Sequence, residues 1–176
     1  MGLVAPPMRW SRYALWLGVA AVLVVLDVWT KHLASSHLEL YRAEPIWPWL
    51  NFTLAHNSGA AFSFLADQGG WQRWFLSAAA VIITGIFLVW LKRLPDPARL
   101  LPSAIALILA GAVGNLIDRV RFGYVIDFID VHAYGYHWPA FNLADSAIVV
   151  GVVLVLIEGF IPNRPAPNDK ADTTSP

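Results

Sequence analysis

Four stretches of this chain carry almost no charge over lengths that match the thickness of a lipid bilayer. Trp74 to Leu91 is eighteen residues without a formal charge, and Leu100 to Ile117 is another eighteen. A bilayer core needs about 20 mainly apolar residues in a helix, with a range of about 17–25, so both stretches qualify alone. The stretch after Arg12 is uncharged up to Asp27 and, if Asp27 is tolerated, stays apolar to Thr30. Asn142 to Ile161 qualifies if it admits Asp145 near one end and Glu158 near the other. On length alone, the twelve uncharged residues between those two acids would also suit a buried helix of a soluble protein. Three neighbouring spans favour a fourth crossing, so spans are expected at about 13–31, 73–91, 100–119 and 142–161.

Composition agrees. Hydrophobic residues make up 57% of the chain, charged residues 14%, and mean hydropathy is +0.55; an ordinary soluble domain is about 25% charged. So much apolar surface excludes a disordered chain. Twelve basic residues balance twelve acidic ones, which argues against nucleic acid as a partner. There is no cysteine, hence no disulfide, thiolate metal site or cysteine nucleophile. A cleaved signal peptide would also place Arg9 and Arg12 ahead of an apolar stretch. Such a peptide does not normally end in Asp27-Val28-Trp29-Thr30-Lys31, and the rest of the chain is itself membrane-bound.

Four spans put both termini on one side, and the positive-inside rule chooses which. Arg9 and Arg12, then Lys92, Arg93 and Arg99, then Arg164 and Lys170 are seven of the twelve basic residues. They fall on the three segments that an even-span topology places together, so those segments are expected in the cytoplasm. The longer connections, about 34–72 and 120–141, are then extracytoplasmic. Trp10, Trp47, Trp49, Trp71, Trp74, Trp90 and Trp138 lie near the expected span ends, as interfacial aromatics do. Glu44 to Leu54 has aromatic and β-forming residues in partial alternation and reads as short strands. Asn57-Ser58-Gly59 reads as a turn. Residues 1–161 are expected to form one four-helix domain, and 162–176, rich in Pro, Asn and Asp, a disordered cytoplasmic tail.

Polar residues placed by depth then fall at one level. Asp27 and Lys31 lie at the outer end of span one, four apart on one helical face. Asn115, Asp118 and Arg119 lie at the outer end of span three. Asn142 and Asp145 open span four, about 5 Å apart along its axis, and Asp127 arrives from the apolar run just before it. Ionised side chains in a membrane are costly and usually face the protein interior with partners. Four acids (Asp27, Asp118, Asp127, Asp145) face two bases, Lys31 and Arg119. Two unpaired carboxylates brought together share a proton, as in an aspartic-protease pair. Each residue also has a structural reading. Asp27 with Lys31 can be a packing ion pair, and Asn115 and Arg119 can brace the end of span three. Asp118 has the adjacent Arg119 as a ready partner, and Asn142 is a good N-cap. Asp127 and Asp145 have no evident local base. No Gly-x-Ser-x-Gly or His-Glu-x-x-His pattern is present. His32, His37, His56, His132 and His137 lack ligand-like spacing and read as interfacial or loop residues.

Five sequence blocks occur in order: Asp27-Val28-Trp29-Thr30-Lys31, Asn57-Ser58-Gly59-Ala60-Ala61-Phe62-Ser63, Gly114-Asn115-Leu116-Ile117-Asp118-Arg119, Val125-Ile126-Asp127-Phe128 and Phe141-Asn142-Leu143-Ala144-Asp145-Ser146. On a four-span frame they resemble the lipoprotein signal peptidases, the signal peptidase II family of bacterial inner membranes. The resemblance implies a mainly α, integral membrane fold: four transmembrane helices, a small extracytoplasmic β-containing loop region and a short interfacial helix. It implies an aspartyl peptidase, with no metal and no cofactor, that cuts prolipoproteins on the amino side of a diacylglyceryl-modified cysteine. Prolipoprotein substrates and membrane lipid would be its partners, nucleic acid would not, and it would act as a monomer in the inner membrane. By the motif, the catalytic pair falls on Asp127 and Asp145. Asp27, Lys31, Asn57, Gly59, Asn115, Asp118, Arg119 and Asn142 would bind substrate or support the site. A proton-coupled transporter is the competing class. Transporters usually show repeated halves and midplane polar groups; this chain has no visible repeat, and its polar residues sit at one face.

Overall fold

A computed structural model describes residues 6–59, 70–96 and 98–161. Its four long helices are α1 (Trp10–His37), α2 (Trp71–Arg93), α3 (Leu100–Phe122) and α4 (Leu143–Phe160). Each is long and apolar enough to cross a membrane, and together they make a multi-pass membrane protein. The axis of the bundle is α3, with 61% of its most apolar window buried against 11% in each of the others. Small residues allow that enclosure. A side chain at Gly151 would bring a Cβ within 2.7 Å of the Ala104 carbonyl oxygen, and one at Gly111 would run into the Ala144 carbonyl. A Cβ at Gly114 would meet the Asp27 carboxylate at 2.5 Å. Helices in lipid associate through packing rather than hydrophobic transfer, so these close approaches fix where α1 and α4 sit on α3.

One end of the bundle gathers the start of α1, the end of α2 and the start of α3. The Met8 N–H bonds to the Leu94 carbonyl (2.8 Å) and the Lys92 ammonium to the Met8 carbonyl (2.6 Å). The Arg9 guanidinium pairs with Asp96 at 2.7 Å. The opposite end carries a four-stranded antiparallel sheet, ordered β1 (Ala43–Trp47), β2 (Leu50–Asn57), β3 (Val125–Ala133) and β4 (Tyr136–His137). The first two strands fall where the alternating pattern predicts. Strand β3 was not anticipated: its apolar pairs broken by Asp127 and Asp130 hide the alternation of a half-buried strand.

Both neighbouring helices hold β3. It starts just past Gly123, which ends α3 in a left-handed conformation (φ 90°) that only glycine adopts freely. Farther along, Ile129 exchanges backbone hydrogen bonds with Phe141, two residues before α4. Asn57 lies opposite Val125 and Ala55 opposite Asp127, with a bulge between Phe52 and Ala55.

Helix α1 runs six residues past Lys31, where the expected span ended. The reason is packing: Ala34 forms a small core with Leu54 and Ile126, so the last turns of α1 belong to the sheet rather than the membrane. The Asn57-Ser58-Gly59 turn is present, closed by the Gly59 N–H on the Asn57 side-chain oxygen at 3.0 Å. The rest of that block, Ala60 to Ser63, lies outside the described residues, as does the tail from residue 162. The short interfacial helix is not among the elements of the described residues.

Candidate active site

The polar side chains form two linked clusters at the sheet end of the bundle. Lys31 anchors the first. Its ammonium lies 2.7 Å from Asp27 Oδ2, 2.9 Å from Asp118 Oδ2 and 3.0 Å from Asn115 Oδ1. The Asn115 contact is a hydrogen bond, and the two carboxylates are ion-pair partners of the same ammonium. Lys31 and Asp27 are each only 1% exposed, so the pair sits where an unpartnered charge would be most costly. Each acid also ties the site together. Asp27 Oδ1 accepts the Ala144 N–H from the first turn of α4 (2.9 Å), and Asp118 Oδ2 accepts the Ile126 N–H from β3 (3.2 Å).

The expected pairing of Asp118 with Arg119 is therefore corrected: the partner of Asp118 is Lys31. Successive residues on an α-helix point about 100° apart, so Asp118 turns toward α1 while Arg119 turns away. The Arg119 guanidinium instead donates to the Gly59 carbonyl (3.3 Å) and lines a cavity with Asp127 and Asp145.

Two asparagines connect the clusters. Asn115 Oδ1 accepts from Lys31 and from Asn142 Nδ2 (3.2 Å), which turns the Asn115 amide N–H onto Asp145 Oδ1 at 2.7 Å. Asn142 caps α4 in a reciprocal box. Its side-chain oxygen accepts the Asp145 N–H (2.9 Å), and Asp145 Oδ2 accepts the Asn142 N–H (3.2 Å). With its oxygen so engaged, Asn142 presents its amide N–H to Asp127 Oδ1 at 2.7 Å. Asn57 donates to the other Asp127 oxygen at 3.1 Å. Each amide orientation is forced by its neighbours, and the chain of constraints begins at a lysine. Asn142 thus bonds directly to both Asp127 and Asp145.

Asp127 is 2% exposed. Burial, and then the nearby charge of Asp145, push its carboxyl up to about 7, although Asn57, Asn142 and Lys31 pull the other way. Both acids open on a cavity of about 610 Å³, within the usual size of ligand sites. Asn57, Asn115, Arg119, Asp127 and Asp145 form its polar end; Trp138, Phe141, Ile148, Val149 and Val150 form its apolar walls. Asp27, Lys31, Asp118 and Asn142 stand behind it and hold it. Among the described residues, no three His, Asp or Glu side chains converge as a metal site.

The sequence reading missed a fourth buried acid. Asp130 accepts from Asn51 Nδ2 (2.9 Å) and contacts His137 Nδ1 (2.8 Å), whose ring stacks on His132. It sits three residues from Asp127 in the same apolar run, a signal that could have found it, and so His137 is not simply a loop histidine. Asp130 lies outside the cavity lining and braces the far half of the sheet.

Four membrane-length helices, with a carboxylate-lined cavity where α3 and α4 meet the sheet, define a multi-pass membrane enzyme. A solved bacterial membrane enzyme structure, determined in meso at 2.3 Å, superposes with a TM-score of 0.75 and 31% identity, over 88% of this chain and 91% of that one. A second, at 1.9 Å, gives 0.74 and 30%, over 89% and 97%. The family profile of signal peptidase (SPase) II matches residues 19–161. The lipoprotein signal peptidase of Acinetobacter baumannii (strain ATCC 17978) is 52% identical over 155 residues, 88% of either chain. That of Alteromonas mediterranea is 49% identical over 144 residues, 82% of this chain and 79% of its own. The chain belongs to the signal peptidase II family and is a peptidase.

Proposed function

We propose that this protein is an aspartyl endopeptidase that removes the signal peptide from diacylglyceryl-modified prolipoproteins, cutting on the amino side of the lipidated cysteine. The observation that carries the reading is the placement of Asp127 and Asp145. One asparagine bonds both, and both open on a cavity whose polar end is completed by Asn57, Asn115 and Arg119 and whose apolar walls come from α4 and the segment just before it. With the Asp127 carboxyl lifted to about 7, the shared proton rests on Asp127, and Asp145 is the base. Asp145 takes a proton from water, the water oxygen bonds to the scissile carbonyl carbon, and Asp127 gives its proton to the carbonyl oxygen. Collapse of the tetrahedral intermediate breaks the C–N bond: the proton held by Asp145 goes to the leaving amine, and a hydroxyl proton of the intermediate returns to Asp127 as the C=O re-forms. Arg119, beside both acids, offsets negative charge as the intermediate forms. The mechanism calls on no metal or cofactor.

Residues 1–161 act as one peptidase domain, as a monomer. The basic residues at the terminal end favour a cytoplasmic position for it; in a bacterial inner membrane the site then works at the outer leaflet. The acyl chains of the substrate then stay at membrane depth while its cysteine is held at the level of the acid pair. The test is purified protein given a lipidated precursor and its unmodified counterpart, with products read by mass. Only the lipidated form should be cut, and Asp127→Asn or Asp145→Asn should abolish cleavage while the protein remains folded. Near-normal processing by either variant removes the acid-pair mechanism, and equal cutting of both precursors removes the substrate assignment.

A further inference from the structure

A second crevice lies on another side of α4. It holds about 200 Å³ between α1, α3 and α4. Leu23, Leu107, Ala110, Leu143, Ala147 and Val150 supply its apolar walls. From Leu143 to Val150 is about 10 Å along the helix axis, so the crevice runs from the first turn of α4 into the membrane-spanning part. The polar groups on its walls are already bonded. Asp27 is held by the Ala144 N–H and by Lys31, at 2.9 and 2.7 Å. The Ser146 hydroxyl donates to the Asn142 carbonyl of its own helix at 3.0 Å. A dry apolar cavity of about 150 Å³ takes a benzene-sized ligand, so this one has room for a run of methylenes.

Two observations say whose methylenes. Ser146 and Val150 line both this crevice and the catalytic cavity. One turn of α4 therefore borders both cavities, and a chain that leaves the catalytic site at that turn is next to the crevice. The upper end of the crevice is also the turn that carries Asp145. The acyl chains of a residue processed beside Asp145 begin at that level. We propose that the crevice seats one acyl chain of the substrate's diacylglyceryl group and so sets the register of the scissile bond against Asp127 and Asp145. This rests on the reading of the chain as a peptidase of diacylglyceryl-modified precursors. A chain moving from lipid into the crevice gains no hydrophobic transfer energy, so the seat acts through packing and position.

The test is a precursor lipopeptide with a diazirine at mid-chain, bound to the Asp127→Asn protein and irradiated. Cross-links should map to Leu23 and Leu107. They should fall several-fold in Ala147→Leu and Leu23→Trp, which fill the crevice from opposite walls. In the otherwise native enzyme the same two changes should lower kcat/KM on the diacylglyceryl precursor several-fold. If neither filled variant folds, the label in the unfilled protein decides. Labelling confined to the catalytic cavity, for example at Val149, overturns the proposal. Equal labelling by a phospholipid carrying the same photogroup also overturns it and marks the crevice as a bulk-lipid site. If the unmodified enzyme cuts no lipidated precursor, the functional reading fails and takes this inference with it. Cleavage with an unlabelled crevice defeats the inference alone.

Discussion

Asp127→Asn should stabilise the protein above neutral pH while removing its activity. A folded-state pKa of about 7 against an ordinary carboxyl value of 3.8 means that the fold holds this proton more tightly than the unfolded chain does. Stability from that proton is fully present below about pH 4 and is lost as pH rises to about 7. Above pH 7 the deficit is on the order of 4 kcal/mol. Asparagine carries no charge and escapes it. Its amide oxygen can still accept from Asn142, but its N–H₂ meets the Asn57 N–H₂, whose own oxygen is held by Gly59. One hydrogen bond is lost, worth about 1 kcal/mol, so the net gain at pH 8 is about 3 kcal/mol. Thermal or denaturant unfolding in detergent at pH 8 and pH 4 reads this directly. The variant should be the more stable at pH 8, and its advantage should vanish or reverse at pH 4. A variant less stable than the native protein at pH 8, or an advantage independent of pH, would refute the reasoning.

Asp118→Asn should lower folded yield more than turnover per folded molecule, because it removes one of the two charges facing Lys31 and weakens the acceptor that holds the start of β3; a loss of about 3 kcal/mol is expected, read by unfolding alongside kcat. Gly111→Ala should cost about 1–3 kcal/mol through overpacking. It should also cut activity, because the clash is with the Ala144 carbonyl, one residue from Asp145. Asp130→Asn should destabilise at pH 7 with little change in kcat. Burial alone would raise the Asp130 carboxyl, but the Asn51 donor and His137 outweigh it and hold it below its ordinary value. Its contribution is thus present above the unfolded pKa and lost as pH falls, so the deficit should shrink below about pH 4; unfolding across pH 3–8 tests it.

The spans were legible because a bilayer demands length and loss of charge, and both are local properties. Their ends were less so. The last turns of α1 are set by Ala34 against Leu54 and Ile126, contacts from segments far apart in sequence. The depth of the polar residues was legible for the same reason as the spans, since helix direction and a fixed rise per residue carry it. Which acid meets which base was not. Adjacency suggested Asp118 with Arg119, whereas direction on the helix gave Asp118 to Lys31. Asn142 was legible as a cap, but its second bond, to Asp127, needs β3 beside the start of α4. That strand was hidden because Asp127 and Asp130 interrupt its pattern in order to do two different things, one lining the cavity and the other bracing the sheet.

The two clusters divide one charge problem. Lys31 stands against Asp27 and Asp118, and Arg119 lies beside Asp127 and Asp145. In the first cluster the ammonium ion-pairs with both acids directly and hydrogen-bonds Asn115, and opposite charges meet by contact. In the second, no ion pair within 4.0 Å joins Arg119 to either acid among the described residues, and asparagine amides make the close contacts to the carboxylates instead. Amides orient a carboxylate without neutralising it, which suits the acid pair of the proposed mechanism. The first cluster enforces that orientation on the second. Lys31 claims the Asn115 oxygen, and Asn115 can then only donate to Asp145. A buried ion cluster thus sets the direction of the hydrogen bonds in the site beside it, which is a physical reason for a membrane protein to bury a lysine that touches no cavity.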